Sequence, residues 1–178
     1  MTKFLLLILI TILLNSCGTG MRIRNSRVSY FDSSFAASIE VNSFKTIGSK
    51  RGISSLMHLF EIREEKVDSV FIRFNDKKEL QFTYLHNGEK REKLFTGRFA
   101  KRGFYEIYFR NQKKELPPIF PIIYSVYHIK RVRLALTIEG DLIVDDMWDE
   151  SGTIFIVGAG SSGRRQSFFR TRGINAAD

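Results

Sequence analysis

Residues 67–110 read VDSVFIRFNDKKELQFTYLHNGEKREKLFTGRFAKRGFYEIYFR, and this stretch determines the fold class. Apolar and polar residues alternate over Glu79–His86, the pattern of a half-buried β-strand. Asn87-Gly88 follows at once and is a strong hairpin signal. Gly97 predicts a bulge or a close approach of another group. Short turns separate four predicted strands, so we expect an antiparallel meander: Val67–Phe74, Glu79–His86, Glu92–Ala100 and Phe104–Arg110.

Downstream of this stretch, the charged and then proline-containing segment Asn111–Pro121 breaks the alternation and predicts a loop. One or two strands are expected over Ile122–Ile138, and another over Leu142–Trp148 after a tight turn at Glu139–Asp141. The rest of the chain predicts a last core strand, a small-residue loop and a short closing strand, in that order: Thr153–Val157, Gly158–Gly163 and Phe168-Phe169.

Upstream, strands are expected within Arg22–Tyr30 and Phe35–Phe44. Ser54-Ser55 begins a short helix predicted near residues 54–61, with a strand as the competing interpretation. Eight to ten short strands at regular spacing are typical of all-β proteins. We therefore expect a closed or nearly closed antiparallel barrel of about eight strands, with a β-sandwich as the alternative.

The N-terminus reads MTKFLLLILITILLNSC and has the layout of a bacterial secretory signal, with a positive start, a short apolar core and small residues at the cut. The apolar run is too short to cross a bilayer. Leu14–Cys17 resembles the lipobox of bacterial lipoproteins. That resemblance implies cleavage before Cys17, a diacylglycerol on its sulfur and, since no acidic residue follows, the outer membrane.

These signals divide the chain into four parts. Residues 1–16 are the cleaved signal, 17–21 the lipidated cysteine and a flexible leash, 22–172 a single β domain, and 173–178 a frayed tail. Cys17 is the only cysteine, so lipidation leaves no thiol for a disulfide. The mature part has a size that suits one domain.

The precursor has a net charge of +9, and removal of Lys3 with the signal leaves 27 basic and 19 acidic side chains, a net charge of +8. Basic residues occur in pairs. These pairs indicate either solvated strand ends or attraction to anionic envelope material, whereas nucleic acid is not expected for an exported protein. The pairs are Lys50-Arg51, Lys101-Arg102, Lys113-Lys114, Lys130-Arg131 and Arg164-Arg165.

Three motifs could carry chemistry, and none predicts a cofactor, a metal site or a catalytic residue. Gly158–Gly163 matches GxGxxG but lacks the following helix and acidic residue of a dinucleotide site. The acidic run Asp141–Glu150 lacks the spacing of a calcium loop, so a solvated strand end, or pairing with Arg131 and Arg133 on the neighbouring strand, is the default interpretation. The three histidines show no zinc pattern. A hydrolase is a minor alternative.

Aromatic residues on the predicted strands are the candidates for a ligand pocket, although such residues more often fill a core. An eight-stranded barrel can do either. The apolar loop at Pro117, Pro118, Phe120 and Pro121 is a candidate lid. The candidate pocket residues are Phe82, Tyr84, Phe99, Tyr105, Phe109, Tyr127 and Trp148.

The meander, the Asn87-Gly88 hairpin, LIVDDMW (Leu142–Trp148) and the IFIVGAG strand are similar to small lipocalin-like lipoproteins of Bacteroidetes-type bacteria. The resemblance implies a barrel anchored in the cell envelope. Two roles are compatible with it. The first is a non-enzymatic module that binds a lipid or small apolar molecule, and the second is an envelope interaction protein with a filled core and a basic docking surface.

Overall fold

The computed structural model describes residues 28–48, 52–64, 66–100, 103–116, 124–154 and 157–172. Within these ranges the chain forms strands joined mostly by short turns, and one short helix, α1 (Leu56–Leu59). The strands are β1 (Val28–Ser29), β2 (Ala36–Glu40), β3 (Lys45–Gly48), β4 (Ser69–Phe74), β5 (Leu80–His86), β6 (Glu89–Phe95), β7 (Arg98–Phe99), β8 (Tyr105–Leu116), β9 (Tyr124–Thr137), β10 (Leu142–Ile154), β11 (Val157–Phe169) and β12 (Thr171–Arg172).

The strands pair in two antiparallel sheets, which confirms the predicted all-β class. The first, here called the long sheet, has the order β3-β11-β10-β9-β8-β7, with β1 paired to the end of β9. The second, the short sheet, has the order β12-β2-β4-β5-β6. Among the described residues no strand ladder closes these sheets into one barrel, so the barrel itself stays a proposal.

Short segments carry the chain around corners between the two sheets. The backbone bends at Thr96-Gly97 between β6 and β7, and at Arg170 between β11 and β12. Hydrogen bonds continue across the second corner, because Phe44 N donates to Phe168 O at 3.0 Å and Glu40 N donates to Arg170 O at 3.0 Å. The two sheets are therefore linked along this edge by nearly continuous pairing.

The main hydrophobic core lies between the inner faces of the two sheets, and a smaller cluster that includes Ala135 and Ile143 lies on the outer face of the long sheet. Alternate residues of every long strand point into the main core, as the period of two requires. Phe60, which follows α1, is also buried in this core. The helix prediction near 54–61 is confirmed, although Ser55 makes no side-chain cap hydrogen bond and instead bridges to Asn42. Members from the strands are Ala37, Ile39, Val70, Ile72, Leu80, Phe82, Tyr84, Tyr105, Ile107, Val132, Leu134, Leu142, Val144 and Phe169.

The predictions for Asn87-Gly88 and for Gly97 are confirmed. Asn87 and Gly88 have φ angles of 52° and 80°, which is the pattern of a type I′ hairpin turn. Gly97 is confirmed as a point of close approach. A Cβ there would lie 2.5 Å from the carbonyl oxygen of Glu106 and 2.7 Å from the ring of Tyr105. This glycine lets the chain turn the corner from β6 to β7.

Three predictions about the C-terminal half were wrong, because its strands are much longer than expected. Residues 111–116 are not a loop but continue β8, and Gly158–Gly163 is not a loop but the first half of β11. The predicted core strand Thr153–Val157 is instead divided between the end of β10 and the start of β11, where Ile154 and Val157 are exposed, and residues 155 and 156 lie outside the described ranges. Pairing with neighbouring strands outweighs the weak strand propensity of charged residues and glycine.

The long sheet therefore extends beyond the core. We call this part the extension, and it consists of residues 110–116, 124–130, 148–154 and 157–163 of β8, β9, β10 and β11. The outer face of the extension carries mostly polar side chains, the core-facing side carries a mixture of polar and apolar ones, and β8 is fully exposed there. At its end Leu116, Tyr124, Ile154 and Val157 stand in one register row across the four strands. In the described part of the chain no helix is long and apolar enough to cross a membrane.

Candidate functional site

Most of the aromatic residues predicted to line a pocket lie in the core and touch other aromatic rings. Phe82, Tyr84 and Tyr105 are buried, and Phe99 and Phe109 pack against the core as partly buried residues. The rings of Phe99 and Tyr105 are 5.0 Å apart, a distance typical of direct aromatic contact. Their role as pocket lining stays a prediction, but in the structure they fill space.

Phe60 occupies the centre of this aromatic group. Its ring centroid lies 4.5 Å from that of Phe82, 5.0 Å from that of Phe95 and 6.1 Å from that of Phe109. The helix α1 and its following turn thus place a large side chain where a barrel would hold an apolar ligand. Leu56, Leu59 and Phe60 at helical spacing gave a sequence signal for the helix, but that signal did not show that these side chains face the space between the two sheets.

The structure separates the other two predicted pocket residues from this group. Tyr127 lies on the opposite face of the extension, where its hydroxyl donates to the carboxylate of Glu115. Trp148 lies on the core-facing side of β10 but within the extension, where its ring covers Gly163 of β11. Cys17, the candidate lid at Pro117, Pro118, Phe120 and Pro121, and the Lys101-Arg102 pair lie outside the described residues.

A groove of about 950 Å³ opens between the segment around α1 and the core-facing side of the extension. Glu61 spans it, accepting from Nζ of Lys130 at 3.0 Å and from Nη2 of Arg110 at 3.3 Å. Arg110 also donates to Glu150 at 2.8 Å. Glu61 has a φ of 57°, a left-handed conformation that is uncommon for a non-glycine residue. The groove is charged, so it suits a polar ligand better than a lipid chain.

The outer face of the long sheet carries a second charged group, which the sequence analysis missed. We call it the arginine cluster: Arg98, Arg131, Arg133 and Arg164 around the carboxylates of Glu106 and Asp145. Glu106, Arg133, Asp145 and Gln166 form one register row across β8, β9, β10 and β11. Arg131 and Arg164 belong to the next row on the same face. Two adjacent rows of four long strands thus bring together residues up to 60 positions apart, from Glu106 to Gln166.

The two carboxylates of the cluster are deeply buried by their arginine partners. Arg133 Nε donates to Glu106 at 2.5 Å, and Arg98 Nη2 reaches the same carboxylate at 3.4 Å. Asp145, which is 0% exposed, accepts two bonds from Arg164, each of 2.7 Å. Such bidentate, charge-assisted pairs are strong and geometrically specific. Arg131 differs, since its nearest contact to a carboxylate is 3.9 Å, from Nη1 to Oε1 of Glu106.

The acidic run Asp141–Glu150 is paired, though not as predicted. Asp145 and Asp146 bind Arg164 and Arg165 of β11 rather than Arg131 and Arg133 of β9, and Glu150 binds Arg110. The reason is that β10 has neighbours on both sides, and β11 was not expected to be a strand there. In the described ranges no three His, Cys, Asp or Glu side chains are close enough to hold a metal ion.

Tyr84 is a buried phenol at the end of the core nearest Glu64. Burial raises the pKa of Tyr84 to about 12, and the Glu64 carboxylate beside it contributes to this rise. Its hydroxyl is therefore neutral over the physiological range. A neutral, buried phenol is consistent with packing and supplies no general acid near neutral pH.

Comparison with known proteins places the chain in no family. No protein family, no curated protein and no solved structure matches it. The geometry described above is therefore the basis for any proposal about function.

Proposed function

We propose that this protein is a lipid-anchored component of the bacterial cell envelope whose β domain acts as a non-enzymatic interaction module. The filled interior is the observation that carries the proposal. Phe60, Phe82, Phe95 and Phe109 occupy the space between the sheets, at ring distances of 4.5–6.1 Å. Of the two roles predicted from the sequence, this packing favours the one that works through the surface.

The extension supplies the surface for such a role. Its strands continue beyond the core for seven residues each, so they contribute backbone and side chains that packing of the core does not require. Lys113 and Lys114 are exposed on it, and the arginine cluster lies next to it on the outer face. Together with the net charge of +8 on the mature chain, this favours an anionic partner.

The finer architecture that we propose is a flattened, nearly closed barrel of the lipocalin-like kind. Support comes from the corners, where the β11–β12 and β6–β7 segments pass from one sheet to the other without a long connection. The bonds from Phe44 to Phe168 and from Glu40 to Arg170 extend the pairing around one of these corners.

Binding of a lipid or small apolar molecule is the second candidate function, and one observation favours it. Leu116, Ile154 and Val157 are exposed and stand in one register row at the end of the extension. Exposed apolar side chains grouped in this way are a common feature of lipid and protein contact sites. Such binding would occur at the surface and not inside the domain.

Site-specific photo-crosslinking in intact cells tests the first proposal. A photoreactive residue at Gln112 or Ser161, both exposed on the extension, should capture one dominant partner. The control position is Lys77, which is exposed in the turn between β4 and β5 of the short sheet. Equal capture at all three positions, or none at the extension, would refute the docking surface.

Titration with a fluorescent fatty acid tests the second candidate function. The purified domain without its lipid should show no saturable binding if the interaction module is correct. Saturable binding that is abolished by Leu116→Ser with Ile154→Ser, but not by Leu85→Ser on the exposed face of the short sheet, would support the apolar surface site instead.

A further inference from the structure

The side chain of Arg131 is largely buried, but its guanidinium group lacks a full set of hydrogen-bond partners among the described residues. Its side chain is 12% exposed, and its Nε is buried without a hydrogen-bond partner. The nearest carboxylate oxygen, Oε1 of Glu106, is 3.9 Å from Nη1, which is too far for a hydrogen bond. A buried charged donor left unbonded costs free energy, so its retention calls for an explanation.

The carboxylates around Arg131 are already engaged by other arginines. Glu106 is bound by Arg133 and Arg98, and Asp145 is bound twice by Arg164. Asp149, one row further along the same face, accepts a bond from the hydroxyl of Ser151 at 2.6 Å. Among the described residues, no carboxylate lies within hydrogen-bond distance of Arg131, so no direct ionic hydrogen bond offsets its positive charge.

From this geometry we infer that the arginine cluster is a binding site for a phosphate-type anion, with Arg131 as its principal ligand. The planar guanidinium matches the oxygens of phosphate in a bidentate manner, and the surrounding arginines add favourable charge at short range. The anion would supply acceptors for the Nη groups of Arg131, which make no hydrogen bond among the described residues, whereas the buried Nε stays out of its reach. The inference deepens the proposed function, because it names the chemistry that the docking surface recognises.

The surrounding residues make this site more specific than a general basic surface. Arg133 and Arg164 are held by the two buried carboxylates, so their positions are fixed before an anion arrives. Arg98 is exposed at the rim, with its guanidinium carbon 5.9 Å from the centroid of the Tyr108 ring. Because these arginine side chains are already ordered, binding an anion costs less conformational entropy than it would with mobile lysine side chains.

Binding of inorganic phosphate to the purified domain tests the site directly. We expect phosphate to raise the midpoint of thermal unfolding in a saturable way, since a ligand that binds only the folded state stabilises it. Arg131→Gln should weaken the phosphate affinity by about tenfold or more. The matched control is Arg73→Gln, which removes the same charge from an exposed arginine of β4 in the short sheet and should leave the affinity unchanged.

A stability measurement separates a ligand-binding role from a structural one. Arg131→Gln should leave the unfolding midpoint without phosphate unchanged or higher, because the arginine is poorly paired. Arg133→Gln should lower it, because that change leaves Glu106 buried with weaker partners. If Arg131→Gln destabilises the protein as much as Arg133→Gln does, Arg131 is structural and the inference fails.

Vesicles identify the source of the anion. The domain without its lipid is mixed with vesicles of phosphatidylcholine containing 30% phosphatidylglycerol. Co-sedimentation that free phosphate competes away would assign a lipid headgroup, while phosphate binding without co-sedimentation would assign a soluble phosphate compound. Absence of both, or equal losses in Arg131→Gln and Arg73→Gln, would overturn the site. The phosphate and vesicle results do not change the outcome of the crosslinking experiment. The anion site can therefore be refuted while the proposed docking surface stands, and the reverse is also possible.

Discussion

Gly163 shows how a side chain on the adjacent strand can require glycine at one position of a run of small residues. It pairs with Trp148, and a Cβ at this position would overlap the indole ring. Gly160 of the same run lies against the backbone of Ser151 in the same way. The glycines that suggest a nucleotide motif in the sequence are explained by the close contact between β10 and β11.

Gly163→Ala should therefore displace the ring of Trp148 and lower the free energy of unfolding by about 1–3 kcal/mol. Trp148 is the only tryptophan, so its fluorescence emission reports on the displacement without ambiguity. The control is Gly158→Ala, where the nearest atom to a new Cβ is the hydroxyl of Thr153 at 3.2 Å. An unchanged emission spectrum in Gly163→Ala would contradict the contact.

Tyr84 makes stability depend on pH in the alkaline range. Its pKa is about 12 in the folded protein, against 10.0 for a free phenol, so the folded state holds this proton more tightly than the unfolded state does. The contribution to stability is complete below pH 10 and is lost as the pH rises from about 10 to about 12.

Tyr84→Phe should remove this part of the alkaline loss, which we expect to be about 1–3 kcal/mol. Urea unfolding at pH 9 and at pH 11.5, compared with the wild type, measures it. Tyr30→Phe is the control, because Tyr30 is exposed. Identical pH dependence in Tyr84→Phe and the wild type would show that Tyr84 does not titrate as described.

At the scale of elements, α1 acts mainly as a means of placing Phe60. The helix has only four residues, which is too short to be stable alone, and its stability comes from burial of Leu56, Met57 and Leu59. Phe60 follows it directly and fills the centre of the core.

Phe60→Ala should lower the free energy of unfolding by about 3–5 kcal/mol, because the space it leaves is bounded by two rigid sheets. Denaturant unfolding gives this value, with Phe44→Ala as the control because Phe44 is partly exposed at the surface. A loss below 1 kcal/mol would mean that the interior is looser than the aromatic contacts indicate.

The extension should exchange its amide hydrogens faster than the rest of the same strands. In β9, residues 124–130 are half-buried or exposed except for Ser125, whereas Val132, Leu134 and Ala135 are buried apolar residues. Local opening needs less free energy where few apolar contacts are lost. Hydrogen exchange measured by mass spectrometry compares the two halves of one strand, and equal protection of both would refute this.

The sequence predicted turns better than strand ends, and the reason is physical. Asn87-Gly88 and Gly140 determine their turns through local backbone preference. The continuation of β8 through residues 111–116 and of β11 through Gly158–Gly163 depends on pairing with β9 and β10. That pairing is not local, and charged or glycine-rich segments give no periodic signal for it.

The candidate site was also hard to predict, because its residues come together only through strand pairing. The basic pairs Lys130-Arg131 and Arg164-Arg165 were visible in the sequence, but alternation sends the two members of each pair to opposite faces of the sheet. Which members meet depends on the register among β8, β9, β10 and β11. The arginine cluster could therefore be found only once that register was known.

For the whole molecule, the proposed location depends on Cys17. Cys17→Ser should abolish acylation and release the protein from membranes, because a short leash without acyl chains has no hydrophobic anchor. Mass spectrometry of the N-terminal peptide and flotation of cell membranes measure the two effects. Ser16→Ala, which keeps a small residue at the cleavage position, should remain acylated. Membrane association that persists in Cys17→Ser without acyl mass would disprove the anchor.

The two-residue pairing of β1 with the end of β9 has a mechanical consequence. Of the strand pairs that the structure describes, the first along the chain joins Val28–Ser29 to Leu136 and Thr137 by a ladder of only two pairs. Under a pulling force from the proposed N-terminal tether these bonds would break one after another, whereas Phe31, which is buried in the core and donates to the carbonyl oxygen of Gly103, would resist. The chain would thus lengthen by a few residues at this point while the core keeps its fold.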